Sequence, residues 1–342
     1  MMHKTLDVMK TVKELRKLLP LGMLVCAALL SNQAAAQGME PVPIQAAVAD
    51  AQAQRSMMLA AAQAGERVVA VGARGLVILS DDGGQHWRQA RQVPVDFTLT
   101  AVSFSDDKQG WAVGHGGVVI HTADGGETWQ LQRSATDVDQ PLFTVYFRDS
   151  QHGWAAGLWS LLLQTADGGK TWTTLHLPMA AGSKRNDLNL LHLFPGQGEA
   201  IYLAAEQGTL YYSADAGQHW DVLATGSKAS LWSGVLAQPS GTLIVAGLGG
   251  KLLRSTDAGA NWQTVSIPTS GSITTLQATP GLLTASSLEG KLLQSRDDGV
   301  NWQVVWSSPQ ALTTVLVTSP GLVLPFSKEG ALKPVAIDAP KP

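Results

Sequence analysis

The sequence predicts an all-β chain folded as a seven-bladed β-propeller, with Asp-containing turns between strands 3 and 4 of six blades. Three observations predict it. An octapeptide ending in Trp recurs six times, with Trp-to-Trp steps of 42, 43, 48, 42 and 40 residues. A strand, a short Gly-containing turn and a second strand recur seven times, once before each octapeptide and once more near the C-terminus. The chain beyond its leader, about 300 residues, accommodates seven repeats of this length and no second domain. A period near 40 with strand-like residues between the repeats is the pattern of radially arranged four-stranded sheets.

The octapeptides run Ser80–Trp87, Thr122–Trp129, Thr165–Trp172, Ser213–Trp220, Ser255–Trp262 and Ser295–Trp302. Each opens on Ser or Thr, holds Asp third and Gly fifth, and ends on Thr, His or Asn followed by Trp. This is the chemistry of a tight turn. The hydroxyl and the carboxylate accept backbone N–H bonds, the glycine supplies a positive φ, and the Trp starts strand 4 and tucks under the turn. Asp82, Gly84 and Trp87, with Asp124, Gly126 and Trp129, and Asp167, Gly169 and Trp172, are therefore read as structural. So are Asp215, Gly217 and Trp220, Asp257, Gly259 and Trp262, and Asp297, Gly299 and Trp302. One carboxylate per turn makes a poor Ca²⁺ site.

The upstream units are Val68–Gly75, Trp111–Gly117, Trp154–Ser160, Tyr202–Gly208, Ile244–Gly250, Leu283–Gly290 and Leu322–Gly330, each preceded by another apolar strand. The seventh has no octapeptide after it and so lacks a fourth strand, while an extended segment, Pro41–Val48, precedes blade one. Pairing of that segment with blade seven is the expected ring closure, because it removes an open sheet edge. The organisation is thus a leader at 1–36, an N-terminal segment at 37–54 closing the last blade, the propeller at 55–338 and a tail at 339–342.

The leader has a basic start (Lys4, Lys10, Lys13, Arg16, Lys17), an apolar stretch from Leu18 to Leu30, and a small-residue site ending at Ala36. That is the pattern of a cleaved signal peptide, and it predicts a periplasmic protein. The only cysteine, Cys26, lies inside the apolar stretch and follows Val25, which disfavours lipid attachment over cleavage. The exported chain then has no cysteine, excluding disulfides, thiol nucleophiles and thiolate metal sites. Its 19 basic and 25 acidic residues form no basic stripe, which argues against nucleic acid as a partner.

The octapeptide resembles the Asp box of bacterial-sialidase-type repeats. A longer stretch, Gly110–Trp129, resembles the repeat of the photosystem II stability and assembly factor family, Gly-Trp-x-Val-Gly-x-x-Gly-x-Ile-x-x-Thr-x-Asp-Gly-Gly-x-Thr-Trp. Gly153–Trp172 follows it nearly as well, and the resemblance extends over about residues 55–337. It implies a seven-bladed, non-enzymatic factor at the lumenal or periplasmic side of a membrane, handling newly made membrane subunits. The partner expected here is a membrane-protein complex of the envelope, a transporter or a photosystem-like assembly, and the factor is read as a monomer without cofactor or metal. Family members often carry arginines in strand 3, and of the matching positions only Arg254 fits. The other reading is a glycan-binding or sialidase-like propeller. Against it, Phe147-Arg-Asp-Ser150 lacks the Ile-Pro of the sialidase arginine motif, and all four tyrosines fall in predicted strands.

Propeller topology puts the 1–2 turns and Asp boxes on one face, and the 2–3 turns and blade connectors on the other, where binding sites usually lie. The 2–3 turns offer Arg74, His115, Trp159, Glu206, Glu289, Lys328 and Glu329. Trp159 is an interface anchor, or it folds over the channel mouth or packs on the next blade. The longest connector adds Lys184 and Arg185, and Arg254 completes the candidate set. Glu206, Glu289 and Glu329 could form an acidic ring at the channel mouth. No catalytic residue is assigned.

Overall fold

The computed structural model describes residues 40–138, 140–179, 185–319 and 321–337. The leader at 1–36, Lys184 and the tail at 339–342 lie outside them. Seven antiparallel sheets follow one another in chain order, each with its strands adjacent in sequence. Blade three is representative: Leu142–Phe147, Gly153–Gly157, Leu162–Thr165 and Thr173–Leu175. The second strands are buried on both faces, as in Gly110–Gly114, Gly153–Gly157, Ile201–Ala205 and Leu243–Gly247. They lie between neighbouring blades, which is why they read as unbroken apolar runs with no alternation. Strand 4 starts just after each box Trp, at Arg88, Gln130, Thr173, Asp221, Gln263 and Gln303.

The Asp boxes have the geometry their residues imply. In the second box Thr122 Oγ1 donates to Asp124 Oδ1 (2.8 Å) and accepts the Gly126 N–H (2.9 Å). Asp124 accepts the backbone N–H and the hydroxyl of Thr128 at 2.9 and 2.7 Å. The same set recurs at Asp82, Asp167, Asp215 and Asp257, with His, Thr or Asn in the Thr128 role. Gly126 sits at φ +89° and Gly259 at +92°, where a side chain would be strained. Four box tryptophans donate their indole N–H to their own box glycine carbonyl, at Gly84, Gly126, Gly217 and Gly299.

These bonds lower the carboxyls of Asp82, Asp167, Asp215 and Asp257 from 3.8 to about 2; at Asp124 and Asp297 burial pushes up, and the bonds still hold the carboxyl below its ordinary value. At Asp82, Asp167 and Asp215 the backbone amide four residues on acts first, then that residue's side chain; at Asp257 the Asn261 side chain acts first. A carboxyl depressed in the folded state stabilises the fold while ionised, fully above about pH 4 and vanishing as pH falls through about 2. Melting temperature is therefore expected to hold between about pH 7 and 5 and to drop steeply between about 4 and 2. A melt unchanged across the lower interval contradicts this role for the boxes.

Each box also joins blades. A Cβ at Gly126 would meet Val69 and Leu79 of blade one, and one at Gly217 would meet Trp154 of blade three. Trp111 of blade two donates its indole N–H to Gly168 O in the box of blade three (3.0 Å). Around the channel, first-strand side chains accept N–H groups from the next blade: Thr144 from Leu193, His192 from Gly234, Ser233 from Leu276 and Gln277 from Val317. The innermost strand edges are thereby satisfied without a continuous barrel.

Ring closure differs from the expectation. The two short strands Gly330–Ala331 and Val335–Ala336 both pair with Leu322–Ser327, so they are halves of one third strand broken around Pro334. Among the described residues, no strand pairs with their outer edge. Pro41–Val48 instead lies along blades one and two, with the Val42 N–H on Thr136 O (3.4 Å), the Ala47 N–H on Val93 O (3.0 Å), and Ile44 and Ala47 against their core. The physical reason is that blade seven already makes the standard inter-blade contact. A Cβ at Gly84, in the box of blade one, would lie 2.7 Å from Leu324 and 3.4 Å from Pro334. Trp87 meets Phe326 edge-on at 5.6 Å, Gln63 Nε2 donates to Thr318 O (3.3 Å), and Ala53 is buried between the two blades. Box packing closes the ring where a shared strand was expected.

Candidate partner-binding face

The 2–3 turns place two successive residues in the left-handed region: Arg74–Gly75, Gly116–Gly117, Trp159–Ser160, Gln207–Gly208 and Gly249–Gly250. The second place favours glycine because the connector runs against it. A Cβ would lie 1.9 Å from Val95 O at Gly75 and 2.1 Å from Ser227 O at Gly208. Blade three departs at the second place, while at the first it shares a non-glycine residue with blades one and four (Arg74, Gln207). Ser160 takes the second, its N–H and hydroxyl both donating to Leu188 O at 2.8 and 3.1 Å. Trp159 takes the first, at φ +53°, with its backbone N–H on Asn189 Oδ1 (3.2 Å). Left-handed backbone costs a residue with a Cβ about 1–2 kcal/mol. Blades two and five avoid that cost with Gly116 and Gly249.

The Trp159 residue is 53% exposed, so its ring stands out from the face and is not folded away. Leu248 and Leu288, in the 2–3 turns of blades five and six, are also exposed. Arg74 is exposed, with Nη2 at 3.5 Å from Asp50 and 3.4 Å from Ser56 Oγ. His115 and Lys328 are exposed on the same turns. Arg185 pairs with Asp187 at 2.8 Å in the connector after blade three.

The acidic ring is corrected. Glu206 accepts the backbone and side-chain N–H groups of Asn189 at 3.1 and 2.9 Å. Glu289 is held at about 2 by the Ser270 hydroxyl, Lys291 and the Thr269 hydroxyl, and Glu329 accepts from the Gln310 side-chain amide. Each carboxylate fastens its turn to the connector entering its own blade, which spends its hydrogen-bonding capacity locally. Arg254 is engaged by a neighbouring box. It lies in strand 3 of blade five and donates to Asp298 O (2.7 Å) in the box of blade six, away from the 2–3 turns. His121 bonds Gln109 Oε1 (2.8 Å) and leans on Trp111, at the opposite end of its strand from His115. Among the described residues, no group of three or more His, Cys, Asp or Glu is placed to hold a metal ion.

The structure adds a feature that the sequence reading did not find. In every blade the first strand bulges at its second residue, skipping one position of pairing with strand 2. A bulge re-aims a side chain, and the seven bulged residues all line the central channel at its connector-face end. Three are threonines. Thr100 Oγ1 donates to Leu142 O (2.7 Å), Thr274 Oγ1 bonds Ser286 Oγ (2.8 Å) and Thr313 Oγ1 donates to Met58 O (2.6 Å). The other four are Leu59, Phe143, Leu191 and Trp232. The channel holds about 220 Å³, and none of its lining side chains carries a charge. Its one titratable group, His192, is pushed down to about 4 by burial and accepts the Gly234 N–H at Nδ1 (3.1 Å), so it is neutral at physiological pH.

The family model of the photosynthesis system II assembly factor YCF48 matches residues 89–233, from strand 4 of blade one into the first strand of blade five. Over that stretch the chain resembles the YCF48 assembly factors. A solved structure described as YCF48 bound to D1 peptide superposes with a TM-score of 0.68 at 21% identity, covering 88% of this chain and 99% of that one. YCF48 from Cyanidioschyzon merolae gives 0.66 at 17% identity, covering 86% and 97%. A computationally designed protein, Ika8, gives 0.59 at 12% identity, covering 83% and 97%. At these identities the likeness carries the β-propeller fold alone. No curated protein matches the chain.

Proposed function

We propose that this protein is a non-enzymatic, exported assembly factor that docks a membrane-protein complex of the envelope through the face carrying the 2–3 turns. The observation that carries the reading is Trp159: a large aromatic, exposed on that face, held in a backbone conformation that costs stability and that glycine fills in two other blades. A strained, exposed aromatic fits a binding anchor better than a packing residue. The repeat match to the YCF48 assembly factors supports the class, and the relative solved with a D1 peptide supports a peptide segment as the element recognised. The chain's signal-peptide pattern supports export, with the mature form in the periplasm.

Capture from detergent-solubilised envelope membranes tests this. Wild-type protein is expected to recover one membrane complex, and the Trp159→Ala, Arg74→Ala double variant to recover less than about a tenth as much. Equal recovery by both removes the docking face. Turnover of a sialoside by the wild-type protein would instead support the glycan-active reading.

A further inference from the structure

We infer that the incomplete seventh blade is a second docking site, where an extended segment of a partner protein supplies in trans the turn and fourth strand that the other six blades carry. The site lies at the rim of blades six and seven, away from the 2–3 turns, and stands independently of the docking face proposed there.

The other junctions show what is missing. In four of them the carbonyl of the fourth box residue accepts an N–H from the preceding blade: Gly125 from Arg67 (3.2 Å), Gly168 from Trp111 (3.0 Å), Ala216 from Gln164 (3.3 Å) and Asp298 from Arg254 (2.7 Å). The box also lends its Trp to the core shared with that blade, as Trp129, Trp220 and Trp302 do. Blade seven has no box and can do neither. The core it shares with blade six is filled instead by Trp306, from strand 4 of blade six, against Leu332 and Val335. Gln294 of blade six stands at the strand-3 place held by Gln164 and Arg254, and no box carbonyl follows it. It is 1% exposed, and its Nε2 finds no hydrogen-bond partner.

A buried donor without an acceptor is costly, and a segment that brings it a carbonyl relieves the cost. Gln294 lines a cleft of about 420 Å³ whose other walls come from the box and fourth strand of blade six, so such a segment has room beside it. The edge of blade seven is free as well. Leu332 and Ile337 turn their N–H groups inward, to Pro325 O and Gly321 O. Alternation along the strand therefore turns the backbone groups of Ala331 and Ala336 outward, where no strand of the described residues meets them. In the complete blades one continuous segment, the box and then strand 4, serves both places. An extended peptide does the same with its backbone, giving a carbonyl to Gln294 and a ladder to the edge. A second copy of the chain fits less well, because its own free edge is broken at Pro334, which has no N–H.

The test uses the mature full-length protein and a synthetic peptide of residues 122–133, which holds one complete box and its fourth strand. Binding is followed through the Gln294 side-chain amide resonance and the backbone amides of Ala331 and Ala336. The peptide is expected to saturate shifts at all three. Its Gln130→Pro, Leu131→Pro form, stripped of strand donors, is expected to bind at least about fivefold more weakly. In the protein, Gln294→Leu removes the unpaired donor, so the melting temperature is expected to hold or rise while peptide binding falls about fivefold. Ala336→Pro removes an outward N–H at an edge that tolerates proline, and is expected to weaken binding in the same way. Absence of shifts at Gln294, equal binding of the proline form, or indifference to Gln294→Leu overturns the inference. So does a dimer that Gln294→Leu dissociates, which would seat a second copy there. Peptide binding that appears only after truncation at Ile337 also overturns it, giving the place to the chain's own C-terminus. Trp159→Gly is expected to leave peptide binding unchanged, and its loss there would contradict a separate site.

Discussion

Replacing Trp129 with Ala is expected to destabilise the protein by about 3–5 kcal/mol. The side chain is 1% exposed, its indole N–H donates to Gly126 O at 2.9 Å, and its ring meets Phe104 edge-on at 6.3 Å. It belongs to the core shared by blades one and two, so truncation opens a cavity at a blade junction. The cavity cannot collapse easily, because the box above is pinned by Thr122 and Asp124. Trp172, at the same place in blade three, is only partly buried, and its buried indole N–H finds no hydrogen-bond partner among the described residues. Trp172→Ala is therefore expected to cost less. Denaturant unfolding of both variants checks the order, and an equal loss at the two sites would contradict the packing account.

Gly75→Ala is the second large effect expected, about 2–5 kcal/mol from overpacking together with left-handed strain. The new methyl would lie 1.9 Å from Val95 O and 3.2 Å from the Ala47 Cβ, on a residue at φ +68°. Neither neighbour yields cheaply. Val95 belongs to the connector between blades one and two, and Ala47 is fixed by its N–H bond to Val93 O. Relief would require moving the connector off the turn, which loosens the face proposed to dock the partner. Thermal unfolding of this variant beside Gly198→Ala, where a Cβ meets nothing within 4 Å at φ +62°, separates the clash from the backbone strain. Equal losses in the two would mean that the connector contact contributes nothing.

The boxes and the blade count were legible because their determinants are local. Eight consecutive residues contain the hydroxyl, carboxylate, glycine and Trp that make each turn, and the second strands announce themselves by being apolar throughout. Ring closure was less legible because it depends on Gly84 meeting Leu324 and Pro334 across most of the chain length. An extended N-terminal segment with no evident partner fits blade seven or blade one equally well on sequence alone. The candidate face divided the same way. Trp159 stood out by residue type in a turn of small and polar residues, and the structure leaves it exposed. Glu206, Glu289 and Glu329 looked alike as exposed carboxylates, yet each is engaged by a connector residue that sequence cannot pair with it. Phe143, Leu191 and Trp232 read as ordinary strand residues, because a bulge that turns them into the channel leaves no mark in composition.

Trp159→Gly tests the central claim most directly, because it separates what the turn needs from what a partner needs. Glycine fills this left-handed place in blades two and five, so the substitution removes strain without a new clash. Stability is expected to stay level or rise by up to about 1 kcal/mol. Over the same titration range, capture of the membrane complex is expected to fall about tenfold or more. Unchanged capture by a variant at least as stable as the wild type would show that this face is not where the partner binds.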